Sequence, residues 1–341
     1  MMRTFLPERN ALAACDMDDL EAIIVGAREQ TPLLSITIPT FKRTEFLIEA
    51  VRCALGQDFD RPFEVVVVDD DPASKAYEAL AAAIPGLAAA NFLYLRARKN
   101  GGMFANINRC VMSARGEWLT ILHDDDLIDP NFAREMMRKL DGDPRIDGLV
   151  CEKRCVDHRA VPIRIGPMRH WASRLLKLYR FGVRTTRRVE GRNLFWGCTT
   201  GNTVGFICRA SAARAVGGFH AEEHPASDYF FYARFADRFH LAETGQSLAT
   251  IRIADNSLMK TEAQLACLRL GYELQRAYAG TVLPRFWRRF SPLLMARQVA
   301  NTSRVWRSDL SPEKVGEMLG IRIPRDRPLL LFTIRGLLRG F

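Results

Sequence analysis

Short apolar runs alternate along the first 120 residues with longer stretches whose apolar positions recur every three or four residues. LLSITIP (33–39), FEVVVVD (63–69), NFLYL (91–95) and EWLTIL (117–122) are largely apolar and β-branched or aromatic. They predict strands of a mostly parallel sheet. RTEFLIEAVRCAL (43–55), SKAYEALAAAI (74–84) and ANINRCVMSA (105–114) lie between them with helical spacing, punctuated by Pro, Gly, Asn or Asp. The result is a βαβαβαβ series, whose ligands belong at the carboxyl ends of the strands. Three polar clusters fall there: PTFKR (39–43), DDDPAS (69–74) and HDDDLIDP (123–130). A helix is expected from PNFAREMMRKL (130–140), with Asp129 suited to cap it. Further on, 195–219 reads as a loop, a strand at 203–208 and a helix ended by glycines, extending the sheet.

With 341 residues, 48% of them hydrophobic and 26% charged, the chain can bury one large core or two unequal ones. No apolar run reaches the length that would span a bilayer, PLLLFTI being the longest candidate. LAAC (12–15) looks like a lipoprotein processing site, but PERN (7–10) stands where a signal peptide needs its apolar core, so export is not expected. The eight cysteines have no paired CxxC spacing and read as reduced thiols of a cytoplasmic protein. Cys151 and Cys155 would be two zinc ligands without a second pair.

Charge is local. Residues 1–152 carry 17 basic against 25 acidic side chains, 153–192 carry 12 against 2, 193–283 carry 8 against 8, and 284–341 carry 12 against 4. An acidic block holding the aspartate clusters is thus followed by two basic ones, which suggests different partners for different segments.

The order SITIPTFKR, EVVVVDDDPAS and KNGGMFANINRCVMSARGEWLTILHDDDLIDP resembles the first half of an inverting, family-two glycosyltransferase of the glycosyltransferase A fold. VGFICRASAARAVGGFHAEEHPASDYFFYARFA (204–236) is similar to the family's acceptor-side segment, where a GGF turn precedes an acidic residue on a helix. The resemblance implies a mostly parallel α/β sheet flanked by helices, with a helical C-terminal extension. Its units would be an N-terminal helical segment at 1–30, a catalytic domain at 31–255 with a basic acceptor-side segment at 153–192, and a basic helical region at 256–341.

The resemblance also implies a nucleotide-sugar donor, with UDP as the expected nucleotide, and Mn2+ or Mg2+ to neutralise its diphosphate. Aligning LHDDDL with the family's Asp-x-Asp element puts His123 in the first acidic place, Asp125 in the second as principal metal ligand, and Asp126 after it. His123 would then hydrogen-bond the ribose or replace a ligand. A register shifted by one gives Asp124 the first role. Capping of the next helix by Asp124 to Asp126 is the plain alternative. Asp69 would accept from the pyrimidine ring N–H, with Pro39 and Thr40 lining the base, while Asp70 and Asp71 form the turn or join the site. A phosphorelay receiver also clusters aspartates after a Val-rich strand, but it would begin with that strand, whereas here a strand and helix come first. Arg43, Asn100 and Asn106 belong to the same donor site. Arg109 contacts the diphosphate or makes a structural ion pair.

Asp228 stands at the place of the family's general base, with Ser227 where Glu is usual; its alternative is a helix N-terminal residue favoured by the dipole. His220, His224 and His240 are extra metal ligands or packed histidines. Arg and Lys interleaved with Trp171, Tyr179 and Phe181 fit an anionic acceptor, a growing glycan or a lipid diphosphate, better than nucleic acid. The tail joins basic residues to Trp, Phe and Leu, as interfacial helices do, which suits an anionic membrane surface. The expectation is a cytoplasmic or membrane-peripheral enzyme that transfers one sugar with inversion to a glycan or lipid-linked acceptor. The departures at His123 and Ser227 leave one alternative, a catalytically silent basic protein binding carbohydrate or nucleic acid.

Overall fold

A computed structural model describes residues 9–27, 31–157, 186–198, 200–253, 260–305 and 309–326. Strands β2 (Leu34–Thr40) and β3 (Phe63–Asp69) are buried almost throughout, because helices cover both faces of the sheet. Side chains alternate across it: Val65 and Val67 join the core on one face, Val66 and Val68 a cluster on the other. β4 (Phe92–Ala97) pairs parallel with β3, and β5 (Trp118–Ile121) pairs parallel with β2. The chain therefore moves outward through β2, β3 and β4, then returns to the other side of β2. This reversal opens a crevice at the carboxyl ends of β2 and β5, the place where such sheets take ligands.

Helix Thr44–Leu55 buries Leu47, Ala50, Val51 and Ala54, one stripe at helical spacing, and stops at Gly56. Helices Ala76–Ala83 and Met103–Ser113 make the next two crossovers. Helix Phe132–Gly142 buries Phe132, Ala133, Met136, Met137 and Leu140. Its N-cap is Asn131, with no side-chain cap bond. Asp129 is not the cap, because its carboxylate pairs with Arg154.

The second half adds mostly antiparallel pairings. β9 (Phe206–Arg209) runs antiparallel to both β5 and β7 (Gly148–Asp157). β10 (Leu241–Ile253) is parallel to β7 and antiparallel to the short β6 (Leu127–Ile128) and β8 (Thr186–Val189). The helix that follows β9, Ala210–Ala215, ends before Gly217 and Gly218, both at positive φ. Helix Ser227–Arg238 packs its aromatic face on β9, where Phe206 meets Phe231, Tyr232 and Phe235 edge-on at centroid distances of 6.2, 5.2 and 5.4 Å. Such pairs contribute about 0.5–1.5 kcal/mol each beyond their buried area.

The segment 1–30 is expected to be helical, but its described residues, 9–27, differ. Ala11–Ala14 form a single 3-10 turn, and β1 (Leu20–Val25) pairs antiparallel with β4 as the sheet's edge. At the other end, helices Thr261–Thr281, Ser291–Val305 and Pro312–Leu319 share a small core of Leu268, Tyr272, Met295, Val299, Leu310 and Val315. No helix among the described residues is long and apolar enough to cross a membrane.

Candidate active site

A cleft of about 360 Å³ opens at the carboxyl ends of β2, β3 and β5. Pro39, Thr40, Arg43, Asn100, Asn106, His123 and Asp124 line it, together with Asp70. These residues come from the end of β2, from the segments that follow β2, β3, β4 and β5, and from a helix, yet the parallel strands bring them to one edge of the sheet. Asn106, on the helix after the glycine loop, is buried and ties the strand ends together, its Nδ2 donating to the carbonyls of Thr40 at 3.2 Å and Val68 at 3.0 Å.

The crowded carboxylates each have a distinct environment. Asp124 accepts from Thr40 Oγ1 at 2.8 Å and from Arg43 Nη1 at 3.3 Å; burial nevertheless raises its carboxyl above the ordinary range. Asp125 accepts from Arg43 Nη1 at 2.7 Å. Arg43 thus lies across two neighbouring carboxylates. Lys42, just before it, has φ +59°, and this left-handed turn directs the chain toward them. Asp126 points elsewhere, accepting from the Arg252 backbone N–H at 2.9 Å and from Asn202 Nδ2 at 3.5 Å. Burial, with Asp125 and Asp124 adding to it, pushes Asp126 up to about 7. None of the three carboxylates caps the following helix.

Among the described residues no group of three His, Cys, Asp or Glu side chains is arranged to hold a metal ion. An all-protein cage is therefore not what these residues build. Mg2+ of the kind that serves phosphoryl groups needs only one or two carboxylates, with phosphate oxygens and water completing its sphere. Asp125, whose side chain is 14% exposed beside the cleft, fits that arrangement. His220 is buried, and His224 packs edge-on against Phe104.

Asp69 and Asp70 have different partners. Asp69 Oδ1 accepts from the Asp71 backbone N–H at 3.0 Å and Oδ2 accepts from the Tyr94 hydroxyl, so a base N–H would have to compete for this carboxylate. Asp70 is more than a turn residue. It accepts from the backbone N–H groups of Gly101 at 2.9 Å and Gly102 at 2.7 Å, and from Arg109 Nη1 at 2.8 Å. Gly102 has φ +81°, a conformation that favours glycine. Arg109 also donates to Asp19 at 2.6 Å, so the structure resolves its alternatives in favour of a buried ion pair. Asp71 only forms a turn, accepting from Ala73 N–H at 3.1 Å.

Asp228 sits in the first turn of helix Ser227–Arg238. Burial raises its carboxyl above the ordinary range, against the charges of His123 and Lys153. His123 Nε2 is 3.0 Å from Thr203 Oγ1. Lys153, on β7, donates to the Thr200 carbonyl and to the Asn202 carbonyl at 2.7 Å, and burial lowers its ammonium. The sequence reading missed Lys153, Asn202 and Thr203. A lysine directly after the apolar start of β7, GLVC, and Glu152 was the available signal, hidden by the basic block that follows.

Much of that block, including Trp171, Tyr179 and Phe181, lies outside the described residues. Its described arginines are engaged: Arg154 with Asp129, Arg187 with Glu243, and Arg188 and Arg192 with Glu190.

Among the known proteins to which the chain is similar are glycosyltransferases. Over 103 residues the chain is 34% identical to the colanic acid biosynthesis glycosyl transferase WcaA of Escherichia coli, a match that spans 30% of this chain and 36% of that protein. The structure is similar to S. aureus TarS in complex with UDP-GlcNAc, with a TM-score of 0.54 and 17% identity over 80% of this chain and 72% of that one. It is also similar to the mannosyltransferase PcManGT from Pyrobaculum calidifontis in complex with GDP-Man and Mn2+, with a TM-score of 0.53 and 15% identity over 88% of this chain and 82% of that one. The fold is therefore the glycosyltransferase A fold. The model for glycosyl transferase family 2 matches residues 35–208, just over half of the sequence, and the chain belongs to that family.

Proposed function

We propose that the protein transfers a sugar, with inversion, from a nucleotide-diphosphate sugar to a glycan or lipid-linked acceptor in surface polysaccharide or glycoconjugate biosynthesis. Residues 31–255 would be the catalytic unit, working in the cytoplasm or at the inner face of the membrane. The observation that carries the reading is the cleft where Thr40, Asp70, His123 and Asp124 meet, with Asp228 close enough to His123 to feel its charge. UDP is the expected nucleotide, since TarS was solved with UDP-GlcNAc in this fold.

In this reading Pro39 and Thr40 line the base, and Asn100 and Asn106 hold the loops around it. Asp69 stays with Tyr94, and Asp70 keeps the glycine loop in place. Asp125, with Asp124 or Asp126 beside it, would hold a Mn2+ or Mg2+ ion, which when bound supplies positive charge for the departing diphosphate. Arg43 exchanges its carboxylate partners for phosphate oxygens, which a guanidinium fits in bidentate fashion. On the acceptor side Asp228 takes the proton as the hydroxyl oxygen bonds to the anomeric carbon, and the bond to the diphosphate breaks with its electron pair. His123 and Lys153 favour the ionised form of Asp228.

Calorimetry with UDP tests the donor half. Affinity is expected to fall on chelation and in Asp125→Ala. Equal affinity with and without the divalent cation would remove the ion from the mechanism.

A further inference from the structure

The transfer reaction leaves unused the turn between helices Thr261–Thr281 and Ser291–Val305. This 3-10 turn, Arg285–Phe290, reads RFWRRF and buries none of its residues. Phe286 is 51% exposed and Val282 45% exposed, flanked by the exposed Arg285 and Arg289. The turn has firm support beneath. Trp287 packs edge-on against Phe195 and Trp196 at centroid distances of 6.3 and 6.5 Å, and Arg288 Nε donates to the carbonyls of Arg276 at 3.2 Å and Ala279 at 2.7 Å. Between Glu273 and Asp309 the sequence has seven arginines and no carboxylate.

We propose that Val282 and Phe286, with Arg285 and Arg289 beside them, form a wedge that docks the enzyme on an anionic phospholipid surface, Phe286 entering the acyl boundary. An apolar tip ringed by cations matches such a surface on both counts, burial of the ring and attraction to lipid phosphate. A second copy of the chain fits worse, because a two-fold contact would set arginines against arginines. The wedge also adjoins the proposed acceptor side. Phe195 follows Leu194, whose carbonyl accepts from the hydroxyl of Tyr229, the residue after Asp228. Membrane docking there would present a lipid-linked acceptor to Asp228, and only this last step rests on the proposed function.

Co-sedimentation of the full chain with vesicles tests the wedge. At low salt the protein is expected to sediment with phosphatidylcholine vesicles containing phosphatidylglycerol and to stay in solution with phosphatidylcholine alone. The double variant Arg285→Gln, Arg289→Gln should lower partitioning roughly thirtyfold. In Phe286→Trp, emission beyond that of the unaltered protein should be quenched by brominated acyl chains. No sedimentation of the unaltered protein, unchanged partitioning of the double variant, or an unquenched tryptophan overturns the proposal. Binding of RNA without binding of vesicles overturns it too, and gives the arginines a different polyanion. UDP calorimetry on the same variants separates the two readings: a protein that docks but binds no nucleotide keeps the wedge and loses the donor.

Discussion

Replacing Asp228 with asparagine is expected to lower turnover by about 10²- to 10⁴-fold while UDP affinity stays near its original value. In an inverting transfer the acceptor hydroxyl attacks opposite the departing diphosphate, so its proton must go to a base away from the cation. In the proposed mechanism Asp125, which pairs with Arg43 beside the cleft, lies on the diphosphate side. Asp228 is held on a separate helix, near His123 and Lys153. Asparagine keeps the shape and removes the basicity. Burial raises the Asp228 carboxyl, and only its ionised form accepts a proton. Activity should therefore fall as pH drops through a pKa above the usual carboxylate range, and this acid limb should vanish from the residual activity of the variant. Unchanged turnover would leave Asp228 as a helix residue. The nearby acids offer little replacement, since Glu222 pairs with exposed Arg9 and Glu223 with buried Arg234.

Arg109→Ala is expected to cost about 3–5 kcal/mol, the range for removing one partner of a buried ion pair. Arg109 is 4% exposed and joins Asp19 in the N-terminal segment to Asp70 at the end of β3. Its loss leaves buried Asp70 and half-buried Asp19 without their cation. Against a total stability of roughly 5–15 kcal/mol, the change should be plain in urea unfolding. UDP affinity should weaken as well, because Asp70 also holds the Gly101 and Gly102 amides at the cleft. A loss below about 1 kcal/mol would show that the charges are better solvated than their burial implies.

The parallel core was legible because β2, β3 and β4 are mostly buried and so read as short, largely apolar runs. The edge was not. In β1 the burial alternates irregularly and the pairing with β4 shifts between Ala22 and Ile24, while the preceding ALAA favours helix by propensity. β6 and β8, two and four residues long, carry too little periodicity to be read. The same division holds in the site. The clusters at the strand ends were visible as polar breaks after apolar strands, which located the cleft. Which of two adjacent aspartates faces it depends on partners far away in sequence: Tyr94 takes Asp69, and Arg109 with the glycine amides takes Asp70. Asp129 was misread for the same reason, since Arg154, which claims its carboxylate, lies on a distant strand.

The most direct measurement is of nucleotide released from donor. The protein is incubated with a panel of UDP-, GDP- and other nucleotide sugars in Mn2+ or Mg2+, without acceptor, and free nucleotide diphosphate is followed by chromatography. Slow hydrolysis of at least one donor, lost on chelation and sharply reduced in Asp228→Asn, is the predicted result. A protein that binds none of these donors and releases no nucleotide from any of them would contradict the account.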